Sequence, residues 1–238
     1  MQGNSEITDR YNRQTGLPEI GEEGQRKIQN ARVLIVGVGG LGSPIALYLA
    51  GAGVGTIGLI DDDTVSISNL QRQVLYVEDE IGQSKVACAA SRLRSLNSSI
   101  KIETYPFRLT EENVDLLIAN YDIIVDGCDN FTTRYLLSDS CAKTRKPYVY
   151  GAIQGFEGQV SVFCQDSVFR TYRNLYPDET VTSQVTPPDK SVIGITPAVV
   201  GSIEANETLK LICGYGDLLA GRLWTIDLRT MQTHIIEF

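Results

Sequence analysis

Apolar residues recur along this chain in two rhythms. In the first half, short unbroken apolar runs alternate with longer stretches whose apolar positions fall every three to four residues. That is the pattern of buried strands alternating with amphipathic helices. Val33 to Val36 form one such run, followed by glycines at 37, 39, 40 and 42 and a periodic stretch from Ile45 to Ala52. A second run, Ile57 to Ile60, ends on Asp61. Together they predict strand, glycine turn, helix, strand and acid, a βαβ unit. Next, a helix is predicted from about Gln83 to Leu96, with Val86, Ala89, Ala90, Leu93 and Leu96 on its apolar face. A strand over Ile100 to Tyr105, a helix over Glu111 to Asn120 and a strand over Asp122 to Asp126 follow. A helix running to about Lys143 and a short strand in KPYVYGAIQG complete this half.

The rhythm then changes. Gln159 to Cys164 alternates polar and apolar residues, as a half-exposed antiparallel strand does. Residues 166–190 have no period and contain three prolines, which predicts a long loop, functional or mobile. TPAVVGSIEANETLKLICG reads as a helix opened by Pro197 and closed by Gly214, and the final stretch as a hairpin turning near Arg229 and Thr230. At the other end, EEGQRKIQN suits a short helix, while RYNRQTGLPEIG, with Arg10 and Arg13, is polar and aperiodic and reads as a solvated arm. The expected fold is α/β and Rossmann-like: a largely parallel sheet flanked by helices, extended by antiparallel strands. One domain spans 1–238, with residues 1–150 as its nucleotide-binding half.

Composition narrows the function classes. The formal net charge of −8 argues against a nucleic-acid partner. The polar opening MQGNSEITDRYNRQ offers no leader, and no apolar run reaches the roughly 18 residues of a membrane span. Five scattered cysteines, at 88, 128, 141, 164 and 213, form no C-x-x-C pair and read as reduced thiols. A cytoplasmic protein without membrane contact is expected.

Gly37, Gly39 and Gly42 fit G-x-G-x-x-G, with Gly40 inside it, and Asp61 lies about twenty residues beyond, where a carboxylate meets ribose hydroxyls. With the flanking strands and helix in register, a nucleotide site is the reading; a glycine-rich structural turn is the alternative. TVSISNLQRQVLY, residues 64–76, gathers Asn69, Gln71, Arg72 and Gln73, or is simply a capped helical turn. Lys85 in a helix's first turn opposes the helix dipole and hints at an anion. Asp126 and Asp129 follow a strand end beside Asn130, either capping the next helix or facing a metal-nucleotide. Cys128 reads as an apolar filler and His234 as a strand-surface residue.

RYNRQ, GVGGLGSP, SNLQRQ, IGQSK, DGCDNFTTR, GQVSVF and ITPAVVGSIEANETLK together resemble the ThiF/MoeB/HesA family of ATP-dependent adenylyltransferases, which are similar to the core of ubiquitin-activating enzymes. The resemblance runs from about Arg10 to the terminal hairpin and is closest to the ThiF type. It implies ATP over the glycine turn near Gly40, with Asp61 on the ribose. Asn69, Arg72 and Lys85 would line the phosphates, Gln73 and Asn130 would also be cofactor-binding, and Asp129 would help hold Mg²⁺. It implies a homodimer in which Arg13 of one copy reaches the other's γ-phosphate, so that the N-terminal segment is no mere arm. Residues 151–238 would be the carrier-binding half. The substrate implied is a ubiquitin-like sulfur carrier with a Gly-Gly C-terminus, ThiS-like in preference to MoaD-like, activated as an acyl-adenylate for later thiocarboxylate formation.

Two departures matter. Many members hold zinc on four cysteines, but the matching element here is Thr171-Tyr172-Arg173-Asn174, so no zinc is expected. Residues 165–212 also contain no cysteine where many members place one, near Pro187, so an external sulfur donor is expected. Alternatives are a non-catalytic half of a heterodimer, a nicotinamide-dependent oxidoreductase, or a related enzyme acting on tRNA. The second has no task for Asn69, Arg72, Lys85 and Asp129, and the last lacks a basic surface.

Overall fold

The computed structural model describes residues 2–165, 169–184 and 191–238. Two helices, α1 (Gln2–Thr15) and α2 (Gly21–Asn30), precede β1 (Arg32–Val36), α3 (Gly42–Ala52) and β2 (Thr56–Ile60). Then come α4 (Lys85–Leu96), β3 (Lys101–Tyr105), α5 (Val114–Ile118), β4 (Ile123–Asp126), α6 (Phe131–Thr144), β5 (Tyr148–Gln154) and β6 (Glu157–Phe163). Two short helices, α7 (Tyr172–Leu175) and α8 (Glu179–Gln184), lead to α9 (Ile195–Cys213), β7 (Arg222–Asp227) and β8 (Gln232–Glu237).

All eight strands form one sheet in the order β3-β2-β1-β4-β5-β6-β7-β8. The first five are parallel, and β5 onward pairs antiparallel from Tyr148↔Phe163 to Gln154↔Glu157. Their sequences explain the switch. Strands β1, β2 and β4 are predominantly apolar and buried along almost all their length because helices cover both faces, while β8 is exposed along its length at the sheet's edge. One core layer packs α3, α4 and α9 on one face, with Ile45, Leu49, Leu93 and Val200 fully buried. The other packs α5 and α6 through Leu34, Tyr121, Tyr135 and Tyr148. The order reverses between β1 and β4, so their C-terminal ends open a crevice where ligands of such sheets bind.

Several boundaries and one larger expectation shift. The helix expected over Glu111–Asn120 is the shorter α5, whereas the last helix starts at Ile195 with Pro197 in its first turn, as expected. Leu96 is 41% exposed instead of lying on the buried face of α4, because the helix ends there and the chain turns at the buried Asn97. The N-terminal segment is a helix, not a solvated arm. Tyr11 is buried over Gly53, and its hydroxyl accepts a 2.8 Å hydrogen bond from Asn97 Nδ2, which also donates to Ala50. Within 166–190, α7 and α8 are helical where no period was visible; Pro187 lies outside the described residues. Thr171 and Asn174, expected to replace zinc ligands, cap α7: Thr171 N–H donates to Asn174 Oδ1 at 2.8 Å. No described helix is long and apolar enough to cross a membrane.

Candidate functional site

The glycine turn leaves β1 at Gly37, whose φ of +88° is one an L side chain rarely adopts. A Cβ there would lie 2.6 Å from the carbonyl oxygen of Gly127, and one on Gly42 would lie 2.1 Å from the carbonyl oxygen of Gly37. Glycine is thus required twice, once to turn and once to let α3 start against the turn. Gly37 N–H donates to Ile60 O at 2.8 Å, and the Tyr76 hydroxyl donates to Val38 O at 2.7 Å, so the turn is fixed from both sides. Burial, with Asp61 adding to it, raises the Tyr76 pKa, which keeps that hydroxyl a donor.

Asp61 stands at the end of β2 and faces the turn. Its carboxylate accepts from Val38 N–H at 2.8 Å and Asp63 N–H at 2.9 Å, which orients it and leaves lone pairs for further donors. Beyond it, residues 64–76 form a turn capped by Ser66 and Asn69, as the local pattern predicts. Arg72 donates to Ser68 O at 3.0 Å and lies with Gln73 on the pocket wall. Gln73 is buried beside Gly39, and its Oε1 has no hydrogen-bond partner within the structure. Such an acceptor usually meets a donor on a ligand or water. Lys85 opens α4 with a side chain only 6% exposed, and its Nζ lies 2.8 Å from Asp63 Oδ2. The sequence assigned Lys85 only a ligand's anion as partner; the structure supplies a protein carboxylate as well.

The two aspartates after β4 do different work, and neither caps the helix. Asp126 is fully buried: it accepts from Cys128 N–H at 2.7 Å, the Tyr148 hydroxyl at 2.7 Å and Arg134 Nε at 3.2 Å. Arg134 also donates to the carbonyls of Cys128 and Gly151 at 2.8 and 3.2 Å, so one buried cation ties α6, β5 and the strand-end loop together. Asn130 is the cap, its Oδ1 accepting from Thr133 N–H at 2.9 Å. Asp129, held between these fixed points, is exposed and lines the pocket. Cys128 is buried with its thiol toward Val36 O at 3.3 Å, and burial, then Asp126, raises its pKa, as suits a filler.

These loops enclose a pocket of about 960 Å³ lined by Gly37, Gly39, Gly40, Asp61, Arg72, Gln73, Lys85, Asp129 and Asn130. Asn69 and Gly42, also expected at the site, shape its walls without lining it, and Arg13 is elsewhere. Arg13 is exposed on α1, whose neighbour Tyr11 sits on Gly53 and Asn97 at the N-terminal edge of the strands. Lys85 and Asn97 mark opposite ends of α4, so the length of that helix, about 18 Å, separates the two regions.

Sequence reading missed the pocket's second half. It continues across the antiparallel strands past Gln159, Tyr176, Thr225, Gln232 and His234, with Arg108 on the opposite rim. Gln159 Nε2 donates to the Tyr150 and Tyr176 hydroxyls at 2.6 and 3.0 Å, which stiffens this wall. His234 is thus a rim residue as well as a strand-surface one. Only the alternation in β6 and the hairpin pointed here, and alternation does not say which face meets a ligand.

The chain matches known proteins along almost all of its length. A profile described as the ThiF family covers residues 11–238. The sulfur carrier protein adenylyltransferase of Thermus thermophilus is 44% identical over 232 residues, which are 95% of this chain and 86% of that protein. The probable adenylyltransferase/sulfurtransferase MoeZ of Mycobacterium tuberculosis is 44% identical over 95% of this chain, and MOCS3 of Culex quinquefasciatus 46% over 94%. The chain spans only 59% and 51% of those two longer proteins. Among solved structures, PaaA superposes with a TM-score of 0.83 at 24% identity, covering 98% of this chain and 73% of PaaA. MccB of E. coli, solved with ATP, gives 0.76 at 24% identity, covering 90% and 65%, and both likenesses concern the fold. On the family match and the identity to the Thermus protein, the chain belongs to the ThiF family of adenylyltransferases.

Proposed function

We propose that this protein uses ATP to adenylate the C-terminal glycine carboxylate of a ubiquitin-like sulfur carrier protein. The observation that carries this reading is the single pocket in which a glycine turn, Asp61, Arg72, Lys85 and Asp129 meet at the strand ends and which then continues over the antiparallel strands. In this reading the first part takes a nucleoside triphosphate and the second takes the carrier's extended C-terminal end. The glycine turn and Asp61 take the nucleoside, with Asn69 and Asn130 shaping the loops around it. Arg72, Gln73 and Lys85 take the phosphates.

The carrier's carboxylate oxygen attacks the α-phosphorus, the bond from that phosphorus to the bridging oxygen breaks, and pyrophosphate leaves with the electron pair. Two anions approach and charge gathers on the leaving group, so fixed cations are the machinery required and no protein nucleophile is needed. Asp129, exposed beside the cations, is the residue that would hold Mg²⁺, whose chemistry is charge neutralisation on the phosphates.

The active unit in this reading is a homodimer. Arg13 is exposed on α1 and does not line its own pocket, so in this reading it serves the γ-phosphate of a second copy. A ThiS-like carrier is preferred and a MoaD-like carrier comes next, with an external sulfur donor acting on the acyl-adenylate afterwards. ATP–pyrophosphate exchange with each carrier type tests the reading: exchange that requires a Gly-Gly carrier supports it, and exchange unaffected by Arg72→Ala refutes it.

A further inference from the structure

Lys85 is buried and faces the pocket, yet among the described residues the only anion it touches is the carboxylate of Asp63, which is 68% exposed. The main-chain position of Lys85 does not depend on that contact. Its main-chain N–H donates to Asp63 O at 3.1 Å, Val65 N–H to Gln83 O at 2.9 Å and Gly82 N–H to Val65 O at 2.9 Å. Thr64 and Ser84 complete this short antiparallel pairing. Backbone bonds therefore fix where α4 begins, and charge is what remains for the carboxylate to supply. An ammonium buried at the positive end of a helix is costly without an anion. Asp63 provides one from an exposed position, from which it turns into water at little cost.

We propose that Asp63 is an exchangeable counter-ion for Lys85. It acts as a positioning residue that pairs with the side-chain ammonium and aims it in the empty pocket. It gives Lys85 up to phosphate oxygens on binding, then takes it back as pyrophosphate departs. This rests on the nucleotide reading above. Asp63 thereby weakens polyphosphate binding and favours product release, the opposite of what a ligand-contacting or merely structural residue does.

Titration calorimetry on the full chain tests this with magnesium-free pyrophosphate and a non-hydrolysable ATP analogue. Asp63→Asn is expected to bind pyrophosphate about fivefold tighter than wild type, the range of one partly exposed ion pair. Glu157→Gln, which removes a charge from the same pocket without touching Lys85, is the control and leaves affinity within error. In a Lys85→Gln background, Asp63→Asn gives no gain. Weaker or unchanged binding by Asp63→Asn at an unaltered melting temperature overturns the proposal, as does an equal gain from Glu157→Gln. Asp63→Ser repeats the test should the asparagine variant misfold. If wild type binds neither probe, the nucleotide reading fails too; if it binds both and the Asp63 variants match it, only the exchange of counter-ions fails.

Discussion

Replacing Glu204 with Met should stabilise this protein, and increasingly so as pH rises. Glu204 lies on α9 with 0% exposure, and neither carboxylate oxygen has a hydrogen-bond partner. Its carboxyl carbon stands so close to β5 that a Cβ at Gly151 would come within 2.3 Å of it. Burial is the main cause raising its pKa, the negative charge of Asp126 adds to it, and Arg134 opposes in part. The folded chain therefore binds this proton more tightly than the unfolded chain, whose carboxyl titrates near about 4.3. It follows that the group's contribution is fully present below that pH and is lost as pH rises through the folded-state pKa. One such proton changes stability by at most about 1.4 kcal/mol per pH unit. Met has similar length and no polar atoms to satisfy. Removing an unsatisfied buried polar group is worth about 1–3 kcal/mol, or about 2–12 °C in a domain of this size. Thermal denaturation of both proteins from pH 4 to 8 reads the effect, and their difference isolates the one carboxyl. A difference that does not change with pH, or a variant less stable throughout, would refute the reasoning.

Three further outcomes are expected. Gly37→Ala places a side chain at positive φ against the Gly127 carbonyl, and should cost about 2–4 kcal/mol together with nucleotide affinity, read by melting and titration. Arg134→Met leaves Asp126 buried without its counter-charge and should cost about 3–5 kcal/mol in chemical denaturation; a loss below 1 kcal/mol would mean the network is not what fixes the loop. Elemental analysis of the purified protein should find no stoichiometric zinc, since Thr171 and Asn174 cap each other where the family's ligands would stand; one zinc per chain would contradict this.

The half of the pocket proposed for the nucleotide was legible in the sequence because its parts lie close together along the chain and obey strict local rules. Gly37 and Gly42 announce a backbone approach that no other residue permits, and the short apolar runs Val33 to Val36 and Ile57 to Ile60 have the length of buried strands on either side of a helix. The division of labour after β4 was not legible. Asp126, Asp129 and Asn130 look alike as polar residues after a strand, and only packing reveals that Arg134 and Tyr148 claim the first while Thr133 N–H claims the third. The Lys85–Asp63 pair spans 22 residues and depends on a backbone pairing between two irregular segments, which has no signature in periodicity. Likewise, Gln159 and His234 reach the pocket only because β6, β7 and β8 extend the parallel sheet on the side of β5. N-terminal polarity misled for a related reason: α1 is docked by the buried Tyr11 together with hydrogen bonds from Arg10 and Gln14, and such contacts make no apolar period.

The central claim is that an adenylyl group joins a carrier's carboxylate in this pocket. Its most direct test is intact-mass analysis of a Gly-Gly carrier incubated with the protein, ATP and Mg²⁺, with no sulfur donor present. The expected result is a carrier bearing one adenylyl group, formed with release of one pyrophosphate, absent when the terminal glycine is deleted, and reduced about a hundredfold or more by Arg72→Ala. A carrier that stays unmodified with both carrier types, or one that gains a phosphoryl group instead, would contradict it.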